Sequence, residues 1–264
     1  MKNTHLVVID PQNDFCDIAG AALPVPGANA DMQRLATFIN ANAARLADIH
    51  VTLDSHNVVD IAHPAWWVDA TGNSPTPFTV ISEDDVAAGK WRARLPEVQA
   101  RSVDYVKALY RAGRYALVIW PEHCLIGTWG HNVQMDVMAA LNSWARSRMD
   151  IVDFVTKGSN PFTEHYSAVQ AEVPDATDPS TLVNTRLIET LAAADEILIA
   201  GEALSHCVAN TVRDIANNFG DDNVRKMVLL EDCASPVTGF ESLASGFLTE
   251  MKARGMRVAR TTDF

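Results

Sequence analysis

Short apolar, β-branched runs recur along the chain, and each stops abruptly at a polar residue or glycine. His5-Leu6-Val7-Val8-Ile9 runs into Asp10, and Glu196-Ile197-Leu198-Ile199-Ala200 runs into Gly201. Such runs predict strands near 5–10, 49–54, 115–120, 151–156, 196–201 and 226–231, with a last strand through 256–260. Helical spacing predicts helices near 29–47, 98–113, 132–147, 181–194, 206–218 and 238–254. In 181–194, Leu182, Leu187, Ile188 and Leu191 recur at helical intervals, with Asn184, Arg186 and Glu189 between them.

The strand runs are apolar on both faces, as parallel strands covered by helices are. Alternating strands and helices predict an α/β three-layer sandwich with a six-stranded, mostly parallel sheet in the order 3-2-1-4-5-6. Residues 1–264 read as one domain. Residues 57–97 break the rhythm with Pro64, Pro75, Pro77, Pro96, Gly72, Asn73, Trp66, Trp67 and Trp91. At about 40 residues they are too few for an independent core. They are expected to form an excursion, either a lid or contact surface at the ligand edge or a packed surface feature.

All strand C-termini of an open parallel sheet point to one edge, where ligands bind. Asp10, Asp54, His123, Lys157 and Cys207 each follow a predicted strand. Cys207 sits where a strand turns into a helix, and a thiol at a helix N-terminus is expected to ionise more readily. Cys233 and Cys16 lie among acidic neighbours, and Cys124 adjoins His123, so these three read as structural. Asp10 is placed to take a proton from the thiol. Lys157 is placed to keep Asp10 ionised and to stabilise developing negative charge. In the order 3-2-1-4-5-6, Asp10 and Lys157 would face each other across the switch point, with Cys207 one strand further on.

Asp54 and His56 are two residues apart on an extended segment and so share a face. With His123 they form a metal-ligand set with open positions, suited to zinc and also to iron or manganese. His63 could add a ligand, whereas His165 and His206 read as ordinary polar residues.

Composition excludes some partners. Of 264 residues, 48% are hydrophobic, enough for a substantial core, and the net charge of −12 disfavours nucleic acid and anionic membrane as main partners. No apolar stretch reaches the roughly 20 residues needed to span a bilayer, and no secretory signal is read at the N-terminus. The four cysteines show no paired spacing, which fits reduced thiols in a cytoplasmic protein.

Taken together, Val8-Ile9-Asp10-Pro11-Gln12-Asn13-Asp14-Phe15, Asp54-Ser55-His56, Trp120 to Thr128, Lys157-Gly158 and Gly201 to Cys207 resemble the isochorismatase-like cysteine hydrolases, and among them most of all the nicotinamidases. The resemblance spans nearly the whole chain. It implies an Asp10-Lys157-Cys207 triad and a non-proline cis peptide near Glu202-Ala203, with the amides of Ala203 and Cys207 as oxyanion hole. It also implies a divalent metal at Asp54, His56 and His123, Phe15 and Trp120 flanking the substrate ring, and a homo-oligomer. The implied reaction is hydrolysis of a small amide such as nicotinamide to acid and ammonia through a thioester. Alternatives are another small amide or ureide, a metal-hydroxide hydrolase without thiol chemistry, and a catalytically silent binding protein. Two departures bear on the substrate. His63-Pro64-Ala65-Trp66-Trp67 opens a longer excursion than the short loop usual after Asp-x-His, and Ala203-Leu204-Ser205-His206 replaces the usual Ala-Thr-Asp-Tyr before the cysteine.

Overall fold

A computed structural model describes residues 2–264. The strands are β1 (Thr4–Ile9), β2 (Leu46–Asp54), β3 (Trp67–Val68), β4 (Val80–Ile81), β5 (Arg92–Ala93), β6 (Leu117–Val118), β7 (Asp153–Lys157), β8 (Glu196–Gly201), β9 (Met227–Leu230) and β10 (Arg257–Ala259). The helices are α1 (Ala28–Asn42), α2 (Glu83–Ala87), α3 (Gln99–Ala112), α4 (Met135–Arg148), α5 (Thr185–Ala192), α6 (Ala209–Phe219), α7 (Asp221–Val224) and α8 (Glu241–Ala253). Six strands form one sheet in the order β10-β9-β8-β1-β2-β7, and every pairing in it is parallel. Numbered along the chain, these six strands run 3-2-1-4-5-6, the expected α/β order.

The segment that fills the third place differs from expectation. Residues 115–120 do not enter the sheet; Leu117–Val118 pairs antiparallel with Val80–Ile81 in a separate two-stranded ribbon. β7 takes the edge place beside β2 instead. The apolar run at 117–120 therefore reports burial, not membership of the sheet. β7 is an edge strand whose Phe154 and Thr156 face solvent, so its sequence alternates rather than running apolar throughout.

Alternate residues of the central strands feed two cores. Leu6 and Val8 of β1 join Met32, Leu35 and Ile39 of α1 and Leu141 and Trp144 of α4. Val7 and Ile9 face the other way, toward a core that includes Val106 of α3, Leu187 of α5, Val212 of α6 and Phe247 of α8. Residues 57–97 belong to this second core: Ile61, Trp66, Trp67, Ile81 and Ala93 are buried in it. Trp67 Nε1 donates to the Ile61 carbonyl at 2.7 Å, and Trp66 Nε1 donates to Ser102 Oγ at 3.0 Å. The excursion is thus packed in place.

At the C-terminal edge, β8 lies directly beside β1, with Gly201 paired to Ile9. A Cβ on Gly201 would lie 1.9 Å from the Ile9 carbonyl oxygen, and φ there is +122°. Only glycine permits this approach, and it brings the turn after β8 over the end of β1.

Candidate active site

Four strand ends supply the centre of the site. Asp10 follows β1, Asp54 ends β2, Lys157 ends β7, and Cys207 lies in a π-helical turn (Leu204–Val208) between β8 and α6. Parallel pairing sets Asp54 directly beside Lys157. All four side chains are nearly inaccessible: Asp10 is 0%, Asp54 and Lys157 3%, and Cys207 5% exposed.

The Lys157 ammonium is the hub. Nζ forms an ion pair with Asp10 Oδ2 at 2.9 Å. It donates to Asp54 Oδ1 at 2.9 Å, to the His165 carbonyl at 3.0 Å and toward Cys207 Sγ at 3.6 Å. Burial alone would discharge it, but Asp10, Asp54 and Cys207 outweigh burial and hold it well above the usual lysine range. Asp10 shows the converse balance. Burial pushes its carboxyl up, while Lys157 and the Thr52 hydroxyl, donating to Oδ1 at 2.5 Å, oppose the rise.

The expectation of a readily ionised thiol is not met in the resting site. Burial pushes Cys207 well above the ordinary thiol range; Lys157 pulls it down, and Asp10 adds to the rise. Desolvation outweighs whatever the helix terminus contributes. The buried thiol is thus held in its protonated form, with the Asp10 carboxyl group beside it. Cys16, Cys124 and Cys233 are buried, and all four cysteines are free.

The other oxygen of Asp54 faces a histidine cluster. Asp54 Oδ2 lies 3.1 Å from His56 Nε2 and 3.5 Å from His123 Nε2. Each imidazole is anchored through its far nitrogen: His56 Nδ1 to Asp60 Oδ2 at 3.1 Å and His123 Nδ1 to the Pro121 carbonyl at 2.8 Å. Oxygen acceptors on Nδ1 turn each Nε2 toward the centre of the cluster, the arrangement by which outer partners orient metal-binding histidines. His63 completes the ring. Its Nδ1 lies 3.0 Å from the Asn57 carbonyl, its Nε2 is buried without a partner among the described residues, and its ring centre is 5.1 Å from that of His56 and 5.5 Å from that of His123. The donor set of one carboxylate and imidazole nitrogens fits a zinc-class ion.

A narrow pocket joins the two halves. Its walls include Phe15, Trp120, Tyr166, Ala203, His206 and Cys207, with Asp54, His123 and Glu164 beside them. Two larger depressions, one lined by α1 residues and Phe264 and one by α3 residues and Phe162, do not include Cys207. Trp120 is fixed by its Nε1, which donates to Tyr166 Oη at 2.9 Å. Phe15 meets His123 edge-on, with ring centres 5.5 Å apart.

His206 sits in an aromatic box, with ring centres 5.2 Å from Trp120, 5.3 Å from Tyr166 and 4.8 Å from Phe240. Burial lowers its pKa to about 4, so it is neutral at pH 7. Ser205 Oγ accepts from the Val237 amide at 3.1 Å and lies 2.9 Å from His206 Nδ1. The other ring nitrogen, Nε2, is buried without a hydrogen-bond partner among the described residues.

No protein-family model matches the chain, and no curated protein matches it by sequence. Solved structures do match in shape. The yeast nicotinamidase Pnc1p superposes with a TM-score of 0.66 at 20% identity, over 97% of this chain and 99% of that one. Pyrazinamidase of Pyrococcus horikoshii in complex with zinc gives 0.58 at 19% identity, over 98% and 99%. An isochorismatase family protein from Desulfovibrio vulgaris gives 0.53 at 15% identity, over 99% and 96%. The chain has the isochorismatase-like fold.

Within the isochorismatase-like fold, the residues singled out from the sequence meet around one pocket. Asp10, Lys157 and Cys207 are mutually adjacent; Asp54, His56 and His123 cluster beside them; Phe15, Trp120 and Ala203 form walls. The cis peptide lies at Glu202–Ala203. Sequence reasoning treated His206 as an ordinary polar residue, yet it lines the pocket. It also passed over Asp60, Thr52, Glu164 and Tyr166. The Asp60-to-His63 stretch carried one usable signal: a carboxylate four residues after His56 and a histidine three residues further on.

Proposed function

We propose that the protein is a metal-containing cysteine amidohydrolase that cleaves a small carboxamide, such as nicotinamide, to the acid and ammonia. The observation that carries this reading is the close approach of Cys207, Asp10 and Lys157 to one another and to the Asp54, His56 and His123 cluster, beside a pocket lined by Cys207, Asp54 and His123. The printed activities of the structural neighbours, nicotinamidase and pyrazinamidase, support the same reaction class.

In this mechanism Asp10 takes the Cys207 proton as the sulfur attacks the amide carbon. The carbonyl oxygen becomes an oxyanion facing the Ala203 and Cys207 amides. Lys157 balances the negative charge that moves between Asp10 and the substrate. The C–N bond breaks, and ammonia departs with the proton held by Asp10. Water then adds to the thioester, giving its proton to Asp10, and the acid leaves as the thiol is restored. Asp54, His56 and His123, with His63 as a further donor, would hold a zinc-class ion, as a zinc-bound neighbour supports. Such an ion would supply Lewis acidity for a ring nitrogen or a water. Phe15 and Trp120 would hold a flat ring between them, and His206 would offer its unpartnered Nε2 to a polar group of the substrate.

Ammonia release from nicotinamide, pyrazinamide and small ureides, with and without a chelator, tests the proposal. Release from at least one aromatic carboxamide is expected, with loss on chelation. Cys207→Ala should abolish it while leaving the fold and bound metal in place. Turnover at a normal rate without the thiol would contradict covalent catalysis.

A further inference from the structure

A second cluster of metal-binding side chains lies toward the opposite end of the sheet. Parallel register sets His5 beside Asp48, and His50 beside Asp153. Residues two apart on a strand share a face, so Asp48 and His50 point the same way, as do His5, Val7 and Ile9. Val7 and Ile9 enter the core, yet His5 and His50 continue the buried face as imidazoles, 6% and 1% exposed. His5 Nδ1 is 3.0 Å from His50 Nε2, and Asp48 Oδ2 is 3.7 Å from the same nitrogen. The three donor atoms all lie within 4.8 Å of one another.

Hydrogen bonding decides which atoms carry lone pairs. His50 Nδ1 bonds to Asp153 Oδ2 at 2.9 Å, and Arg186 holds the other oxygen of Asp153 at 2.8 Å. An ionised carboxylate only accepts, so His50 carries its proton on Nδ1, and its Nε2 lone pair faces His5 and Asp48. Asp48 Oδ1 accepts from the Ile49 amide at 2.8 Å, which leaves Oδ2 for a ligand. The observed separations of 3.0 and 3.7 Å bracket the roughly 3.3 Å between two ligands of a tetrahedral zinc with bonds of about 2.0–2.1 Å. A surface cavity lined by Asp48, His50, Asp153 and Arg186 gives access from solvent and room for a water as fourth ligand.

We propose that His5, Asp48 and His50 form a second site for a divalent, zinc-class ion, with Asp153 as the outer carboxylate that orients His50. Binding requires His5 to carry its proton on Nε2, freeing Nδ1 for the metal. The ion would clamp β1 to β2 at the end of the sheet away from Cys207, so its role is structural. Without an ion, the same atoms form a hydrogen-bonded chain from His5 through His50 to Asp153, and metal binding separates the two arrangements. The inference stands apart from the amidohydrolase reading.

Zinc binding to the full-length chain carrying Asp54→Asn and His123→Asn, measured by equilibrium dialysis with elemental analysis, tests it. One zinc per chain is expected in this background, with zinc at about 100 times its Kd raising Tm by roughly 5–10 °C. Adding Asp48→Asn or His5→Gln should remove both the zinc and the shift. Asp48 is partly exposed, so its variant reads the site even if the His5 variant unfolds. Asp48→Asn alone should leave ammonia release unchanged. No zinc in the Asp54/His123 background, or zinc that survives Asp48→Asn, overturns the proposal.

Discussion

Lys157 donates to Asp54 Oδ1 at 2.9 Å, and that bond turns the opposite oxygen of Asp54 toward the imidazole of His56, 3.1 Å away. One carboxylate therefore belongs both to the Cys207 group and to the histidine cluster. Removing the ammonium by Lys157→Ala leaves Asp10 and Asp54 buried without their shared counter-charge. The expected cost is about 3–5 kcal/mol of stability, together with loss of ammonia release. Urea denaturation measures the first, and a loss below 1 kcal/mol would show that the buried charges are compensated elsewhere.

Asp60 is not among the residues that line the pocket beside Cys207; it holds His56 Nδ1 at 3.1 Å. Asp60→Ala is expected to weaken zinc at the histidine cluster by about 10–100-fold. Titration against a competing chelator, with the fold checked by circular dichroism, reads the effect. Unchanged affinity would mean that the cluster is oriented without this carboxylate.

His206 gives stability a pH dependence of known sign. Its ring is held neutral down to about pH 4 in the folded chain, against an ordinary value of 6.5. Between these pH values the unfolded chain binds a proton that the native chain does not, so stability falls as pH drops through the window. The loss is on the order of 3 kcal/mol. His206→Phe should flatten the decline between pH 6.5 and 4 without abolishing it, because burial lowers His63 to about 4 and His165 to about 3. Urea midpoints at several pH values test this; an unchanged slope would show that the ring is not buried neutral.

Glu196 titrates with the opposite logic. Burial would raise its carboxyl, but Lys2, Arg257 and Arg45, at 2.9, 2.8 and 2.8 Å, hold it down to about 2. Its stabilisation is present above about pH 4.5 and is lost as pH falls toward 2. The three cations are largely solvent-facing, so Glu196→Gln should cost only about 1 kcal/mol at pH 7. The difference from wild type should shrink in 1 M salt and be largely lost by pH 2. A difference undiminished at pH 2 would assign the loss to packing instead of charge.

How much the sequence discloses follows from what each residue has to do locally. Asp10, Asp54, Lys157 and Cys207 are legible because each ends or follows a strand, and parallel strands present their ends on one edge. Residues 115–120 mislead because burial in a small separate ribbon and burial in the main sheet demand the same apolar side chains. β7 alternates because it is an edge strand, so the weaker pattern belonged to the true sheet member. His206 was not legible as a pocket residue because its aromatic box is assembled from Trp120, Tyr166 and Phe240, far apart in the chain. The resting thiol was misjudged for a related reason: the turn predicts a favourable dipole, whereas the desolvation that overrides it comes from the tertiary fold.

Residues 57–97 bring Asp60 and His63 to the histidine cluster while sinking Ile61, Trp66 and Trp67 into the core beside α3. An engineer could not shorten this insertion to widen the specificity of the cavity, or transplant it as a module, without dismantling the wall that keeps the imidazoles aligned.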